Sequence, residues 1–204
     1  MNAILIRHGE TAANKTGHFQ GSSDAPLNGK GLSQAKALAR RLKSLDIQSI
    51  YSSPQKRAIQ TAHPIAKSHD MDITEINGLR ELDIGLLDGL DGQDLKDKYP
   101  TFLEQWKGNV GSLRMPGGES IVELQDRTWK AMQAIRLLHK RETVIVVSHN
   151  FAIQSILIKV LGMDLKNFRR IKQDLAAITE IVFTQDETIL KSLNDQCHLH
   201  DDLR

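Results

Sequence analysis

Two short runs of apolar residues predict buried strands. Residues 3–6 and 143–147 show no alternation of polar and apolar positions, and the second run is rich in β-branched side chains. Such runs are typical of strands that are covered on both faces. Each run is followed directly by a polar segment with a histidine, His8 in the first case and His149 in the second. Two histidines are therefore expected at the carboxyl ends of two buried strands.

Apolar residues at helical spacing lie between and after these strands. A first helix carries apolar residues over positions 32–45, and a second opens at Pro54. The second is expected to kink or end at Pro64, because an internal proline removes a helical hydrogen bond. A third begins with a capping-box pattern and covers 120–138, and a fourth covers 151–161. Further strands are predicted at Ser49–Ser52, 73–76, 178–184 and 188–193.

This alternation of strands and helices predicts an α/β fold with a mainly parallel central sheet and helices on both faces. A single domain over residues 1–204 is expected. Residues 86–118 break the alternation with several glycines, two prolines and three aromatics, and they are interpreted as an irregular insertion over the active site. Ligands of parallel sheets bind at the carboxyl ends of the strands, where His8 and His149 fall.

Composition and charge narrow the function. The 27 Lys and Arg residues against 25 Asp and Glu residues leave a net charge of +2, too small for a general nucleic-acid or membrane footprint. Cys197 is the only cysteine, so an intrachain disulfide is impossible. The first apolar run is too short for a signal peptide, and no apolar stretch is long enough to span a membrane. A cytoplasmic protein without nucleic-acid or membrane partners is expected.

The segment after the first strand carries the first candidate chemistry. Arg7-His8-Gly9-Glu10-Thr11 stands where the chain must turn, so backbone N–H groups and a guanidinium are available to a phosphate. A lone histidine beside a strand is more often structural than catalytic. The case for chemistry therefore depends on other segments.

The motif Arg7-His8-Gly9-Glu10-Thr11, followed by Asn14, resembles the signature of the histidine phosphatase superfamily, also called the phosphoglycerate mutase-like family. Other segments are similar to further blocks of this family and follow the same order. They are residues 24–31, 52–62, 79–81, 116–120 and 146–149. Residues 193–199 are similar to the C-terminal block of the small-phosphatase branch, which includes α-ribazole phosphatase-like proteins.

The resemblance implies a role for each residue at the phosphate. His8 is the expected nucleophile, since a neutral imidazole nitrogen is available near neutral pH. Arg7 and Arg57 are expected to bind the phosphoryl oxygens, a task suited to the always-charged guanidinium. His149, if protonated, would add a third positive charge. Without the other blocks, Arg57 would be taken for a solvated helix residue.

Glu81 is the expected general acid for the leaving oxygen, and then the general base for the water. On its own it would be interpreted as a surface partner of Arg80. Asn14, Gln20 and Asn150 are expected to contribute to substrate binding. Neither a cofactor nor a metal ion is expected, because the spacing of the tail residues Cys197, His198 and His200 matches no strong zinc pattern.

The sequence thus predicts a phosphomonoesterase that acts on a small phosphorylated metabolite, with α-ribazole-5′-phosphate as the leading candidate. Two alternatives stay open. One is a cofactor-dependent phosphoglycerate mutase, which resembles longer chains. The other is a regulatory or protein phosphohistidine phosphatase module on the same fold. The small phosphorylated metabolite is the expected partner, and a homodimer is possible.

Overall fold

A six-stranded sheet forms the centre of the computed structural model, which describes residues 1–204. Its spatial order is β3-β2-β4-β1-β5-β6. The strands are β1 (Asn2–Arg7), β2 (Ser49–Ser52), β3 (Ile73–Glu75), β4 (Thr143–Ser148), β5 (Ile178–Phe183) and β6 (Thr188–Asp195). The first four are parallel, whereas β5 runs antiparallel to β1, and β6 at the edge runs antiparallel to β5. The predicted mainly parallel sheet is confirmed.

Helices cover both faces of the sheet, as predicted. They are α1 (Ala12–Thr16), α2 (Gly29–Leu42), α3 (Lys56–His69), α4 (Gly92–Lys98), α5 (Pro100–Gly108), α6 (Ile121–Leu138) and α7 (Asn150–Val160). Successive side chains of a strand point to opposite faces. Leu5 accordingly packs in the core that contains α6 and α7, and Ile4 packs in the core that contains α2 and α3. None of the helices has the length and apolar composition that a membrane crossing requires.

The predicted apolar faces of the helices are too long at their ends. Leu32 is 44% exposed and Leu138 is 72% exposed, so neither belongs to the core. Helix α2 ends at Leu42, which leaves Leu45 beyond it and 36% exposed. Leucine tolerates the solvated face of a helix, so spacing alone does not fix the ends of a buried stripe.

Helix α3 does not end at Pro64 but continues to His69. The proline removes the hydrogen bond to the carbonyl of Gln60, one turn earlier. Ile65 and Ala66, directly after it, are buried in the core. Burial of this apolar face offsets the single lost hydrogen bond.

The segment 86–118 is largely helical up to Gly108, which corrects the prediction that it is irregular. It contains α4, whose cap residue Asp91 accepts from two backbone N–H groups, and α5, which begins with Pro100. Trp106 of α5 is buried in the core. Two backbone hydrogen bonds of 2.8 and 2.9 Å join Phe19 to Leu90 and Gly89. The segment is thus attached to the chain that follows α1.

Candidate active site

The two predicted histidines meet at the carboxyl ends of neighbouring strands. β1 and β4 pair in register so that Arg7 lies opposite Ser148. The next residue, His8, donates its backbone N–H to the Ser148 carbonyl at 3.0 Å. The ring centroids of His8 and His149 are 5.1 Å apart, and both residues are buried.

The His8 ring is held in one tautomer. Its Nδ1 lies 2.7 Å from the carbonyl oxygen of Gly9. A carbonyl only accepts, so Nδ1 carries the proton and Nε2 keeps its lone pair. Burial, together with the charges of Arg57 and Arg7, holds the pKa of His8 well below its usual range. His8 is therefore a neutral imidazole whose Nε2 can act as a nucleophile.

His149 is neutral as well. Arg57 Nε donates to its Nδ1 at 3.2 Å, and its Nε2 lies 2.8 Å from Ser53 Oγ. A guanidinium only donates, so Nδ1 must hold a lone pair and the proton is on Nε2. Burial, Arg57 and His8 all lower the pKa of His149. The third positive charge that a protonated His149 would add is therefore not supplied. The neutral ring offers one N–H donor, at Nε2, instead.

Arg57 is fully buried near the start of α3, which excludes the solvated alternative. Its Nη1 donates to the Ser23 carbonyl at 2.6 Å and its Nη2 to the Gly21 carbonyl at 3.0 Å. Burial lowers the pKa of Arg57 to about 10, so its charge persists at neutral pH. The residue supplies a fixed cation directly beside His149.

Arg7 is the last residue of β1 and supplies a second cation. Its Nη1 donates to the Gln173 carbonyl at 2.7 Å, whereas its Nε is buried without a hydrogen-bond partner. Burial lowers the pKa of Arg7, and Glu81 and Asp174 oppose that shift.

Glu81 caps the helix that follows His149. Its Oε1 accepts from the backbone of Leu82 at 2.9 Å and of Ala152 at 3.2 Å, and its Oε2 accepts from Phe151 at 3.3 Å. The residue is 7% exposed, so it is no surface partner of Arg80. Burial raises the pKa of Glu81, although the N–H donors and the two arginines oppose the rise. A carboxyl group with a raised pKa can carry a proton closer to neutral pH.

The three further predicted binding residues fall into two places. Thr11 Oγ1 lies 2.9 Å from Asn14 Oδ1 and 3.0 Å from Gln20 Oε1, and its single proton can serve only one of them at a time. Gln20 Nε2 is buried without a partner. Asn150 is the half-buried first residue of α7, and its side chain takes no part in the hydrogen bonds of the histidine cluster.

Other residues hold this cluster together and were not singled out from the sequence. Gln55 is buried, accepts from the backbone of Glu81 at 3.0 Å and donates to Gly21 at 2.8 Å. Thr61 accepts from the backbone of Gly9 at 3.0 Å. Both stand in the same sequence block as Arg57, which could have indicated them. Gln173, which contacts Arg7 from a distant part of the chain, carries no local signal.

The tail residues Cys197, His198 and His200 take no part in the hydrogen bonds of this cluster, although Gln196 and Arg204 line a cavity together with Arg7 and Asn14. Cys197 is exposed, and both ring nitrogens of His198 lack hydrogen-bond partners. No group of three or more His, Cys, Asp or Glu side chains surrounds a common metal position.

Comparison with known proteins decides the family. The model of the histidine phosphatase superfamily, branch 1, matches residues 3–196. The chain belongs to this superfamily. It is accordingly a phosphatase enzyme, and the resemblance of its motifs is confirmed.

The chain is similar to several known proteins along nearly the whole length of each. Phosphoserine phosphatase 1 of Hydrogenobacter thermophilus is 32% identical over 196 residues, which cover 96% of this chain and 93% of that protein. The protein named probable phosphoglycerate mutase GpmB of Salmonella choleraesuis is 32% identical over 204 residues, covering 98% and 95%. A mutant phosphoserine phosphatase from Entamoeba histolytica, solved with phosphoserine, has a TM-score of 0.86 at 29% identity, covering 98% and 99%.

Proposed function

We propose that this histidine phosphatase hydrolyses phosphate monoesters of a small metabolite through a phosphohistidine on His8, without a metal ion. The observation that carries the proposal is the state of His8. Its Nε2 keeps a lone pair because Nδ1 is hydrogen-bonded to the Gly9 carbonyl. The buried Arg57 donates to the neighbouring His149. A nucleophile and a permanent charge are thus placed together before substrate arrives.

In the first step, His8 Nε2 attacks phosphorus and the ester P–O bond breaks. Glu81, in its protonated form, gives its proton to the departing alkoxide oxygen. Arg7 and Arg57 balance the charge of the phosphoryl oxygens. The buried donors Arg7 Nε and Gln20 Nε2, which lack acceptors within the protein, would be satisfied by such oxygens.

In the second step, Glu81 has become a carboxylate and takes a proton from water. The water oxygen attacks phosphorus, the P–N bond breaks, and inorganic phosphate leaves. His8 returns to its neutral form, and Glu81 is protonated again.

The positive charge of this mechanism comes from two arginines, so activity should survive chelation. Wild-type phosphate release should be equal with and without EDTA. A loss in EDTA that a divalent ion restores would contradict the metal-independent mechanism.

The surroundings of the leaving group favour an aromatic or apolar substrate. An apolar cavity borders the phosphate-binding residues through Gln20 and Phe151, and Arg169 is its only charged residue. Its other lining residues are Phe19, Ile84, Leu87, Leu95, Phe102, Leu103, Trp106, Met115 and Phe168. Helix α5 and its neighbours in 86–118 thus cover the leaving-group side. α-Ribazole-5′-phosphate, whose aglycone is an aromatic ring system, is the leading candidate.

Phosphoserine is the second candidate, because a relative at 32% identity is named a phosphoserine phosphatase. Arg169 could pair with its carboxylate, but the cavity offers its ammonium group no acidic partner. A mutase also stays open, since the relative named as one is nearly equal in length to this chain. Chain length therefore does not separate the two activities.

A panel of phosphate monoesters tests the substrate. We expect kcat/KM for α-ribazole-5′-phosphate to exceed that for phosphoserine. With 3-phosphoglycerate, free phosphate should accumulate, and the appearance of 2-phosphoglycerate instead would favour the mutase. The reverse order of the first two would assign the enzyme to phosphoserine.

The leaving group tests Glu81. An alkoxide needs a proton in the transition state and nitrophenolate needs almost none, and general acid catalysis is worth roughly 10²–10⁴-fold. Glu81→Gln should therefore slow the phosphorylation burst far more for an alkyl phosphate than for nitrophenyl phosphate. Equal, small losses with both would contradict the role of general acid.

A further inference from the structure

We propose that Arg127 of α6, paired with Glu119, is a positioning residue that holds the general acid Glu81 at the phosphate. The inference rests on the proposed role of Glu81. It concerns neither the phosphate-binding residues nor the substrate cavity.

The guanidinium of Arg127 binds the backbone of the segment that carries Glu81. Its Nη1 donates to the carbonyls of Gly78 at 3.0 Å and Arg80 at 2.7 Å, and its Nη2 donates to the carbonyl of Glu81 at 2.8 Å. The remaining donors face Glu119, with Nε 3.0 Å from Oε2 and Nη2 hydrogen-bonded to Oε1. All five N–H groups of the guanidinium are used, and the pair Arg127–Glu119 thus forms a clamp on residues 78–81.

Glu119 extends this clamp to the far side of Glu81. Its Oε1 accepts from the backbone N–H of Asp83 at 2.9 Å, and its own N–H donates to the Asp83 carbonyl at 2.9 Å. A Cβ on Gly118 would lie 2.1 Å from the Asp83 carbonyl oxygen, so only glycine allows this approach. The turn before α6 therefore fixes residue 83, as Arg127 fixes residues 78–81.

The clamp stands on a rigid element. Helix α6 buries Leu124, Thr128 and Met132 and begins with a complete capping box. Arg127 and Glu119 keep 27% and 16% of their side chains exposed, so the pair is neither fully buried nor a loose surface contact. A lysine would retain the charge but could not present five planar donors.

Other contacts keep the segment folded without the clamp. Ser148 Oγ donates to the Leu79 carbonyl at 2.7 Å, and Gln55 accepts from the backbone of Glu81. Loss of Arg127 should thus shift the carboxyl group of Glu81 without unfolding the segment. Because Glu81 also caps α7 behind His149, its position is set from both sides of the site.

The test measures phosphorylation bursts of Arg127→Met with an alkyl phosphate and with nitrophenyl phosphate. We expect the alkyl-phosphate rate to fall at least tenfold more than the nitrophenyl-phosphate rate. Arg127→Lys should show a smaller selective loss in the same direction. Lys130→Met, which removes an exposed charge from the same helix, should leave both rates unchanged.

Glu81→Gln separates the possible failures. In that background Arg127→Met should not change the ratio of the two rates any further. If Glu81→Gln is selective for alkyl phosphates but Arg127→Met and Arg127→Lys lower both rates equally, Arg127 is merely structural and the inference is wrong. If Glu81→Gln is itself unselective, the proposed acid role fails and the inference fails with it.

Discussion

The phosphate end of this site is lined by polar residues, whereas the proposed leaving-group end is lined mainly by apolar residues. At the phosphate end, His8, His149 and Arg57 are buried polar groups, and each is fixed by a hydrogen bond to backbone or to another member. At the leaving-group end, Phe102 and Trp106 belong to an apolar cavity with a single charged residue. In the proposed mechanism, the first end carries out the phosphoryl transfer and the second selects the alcohol. Changes at the two ends should therefore have separable effects.

The largest effect is expected at the phosphate end. His8→Ala removes the proposed nucleophile, and turnover should fall by on the order of 10⁴-fold or more for every substrate, since a nucleophile acts with the rest of the site as a unit. Steady-state phosphate release measures this loss. The exposed His18→Ala is the matched control and should keep wild-type activity. Substantial turnover by His8→Ala would assign the nucleophile elsewhere.

A smaller and selective effect is expected at the leaving-group end. Phe102→Ala removes a half-buried ring from the cavity wall. Altered apolar contacts in a pocket change discrimination by roughly 10–200-fold. The kcat/KM for an aromatic phosphate should fall by this factor relative to that for phosphoserine, whereas Thr101→Ala, exposed on the same helix, should change neither. An equal loss for both substrates would show that the cavity does not bind the leaving group.

The sequence indicated the residues of the phosphate end but not the helices of the leaving-group end, for physical reasons. The phosphate end depends on backbone turns after β1 and β4, and such turns demand particular residues in order, as in Arg7-His8-Gly9. Helices α4 and α5 carry no such demand, because many combinations of apolar residues fill a cavity equally well. Their glycines and prolines, of which Pro100 begins α5, were therefore mistaken for irregular structure.

The protonation states also could not be derived from the sequence. The neutral state of His149 depends on its burial and on its contact with Arg57, which comes from a distant helix and is set by packing. The Arg127–Glu119 pair has the same origin, since it joins α6 to the segment before α4. Spacing in a sequence indicates which elements form, but it does not give the contacts between their side chains.

The smallest effect concerns stability and pH. The pKa values of His8 and His149 lie below 6.5 in the folded protein, so below about pH 6.5 the unfolded chain binds more protons than the native state. Stability should be fully present above this pH and should fall on acidification, by up to about 1.4 kcal/mol per pH unit for each histidine. Denaturant unfolding at several pH values measures the slope.

His149→Gln should reduce that slope by one proton, because the substitution removes a histidine that is buried in its neutral form. Glu81 acts with the opposite sign. Its raised pKa favours the native state in acid and costs stability as pH rises from 4.5 towards its native pKa. A stability that is independent of pH between 5 and 6.5 in both the wild type and His149→Gln would contradict buried neutral histidines.

The central claim is the phosphohistidine on His8, and trapping it is the most direct test. Wild-type enzyme is mixed with substrate, quenched in alkali within the burst, and digested with trypsin, which releases residues 8–15 as one peptide. The account predicts a phosphoryl group on His8 in that peptide, stable in alkali and lost in acid because its bond is P–N. A phosphoryl group on another residue, or one that survives acid, would contradict it.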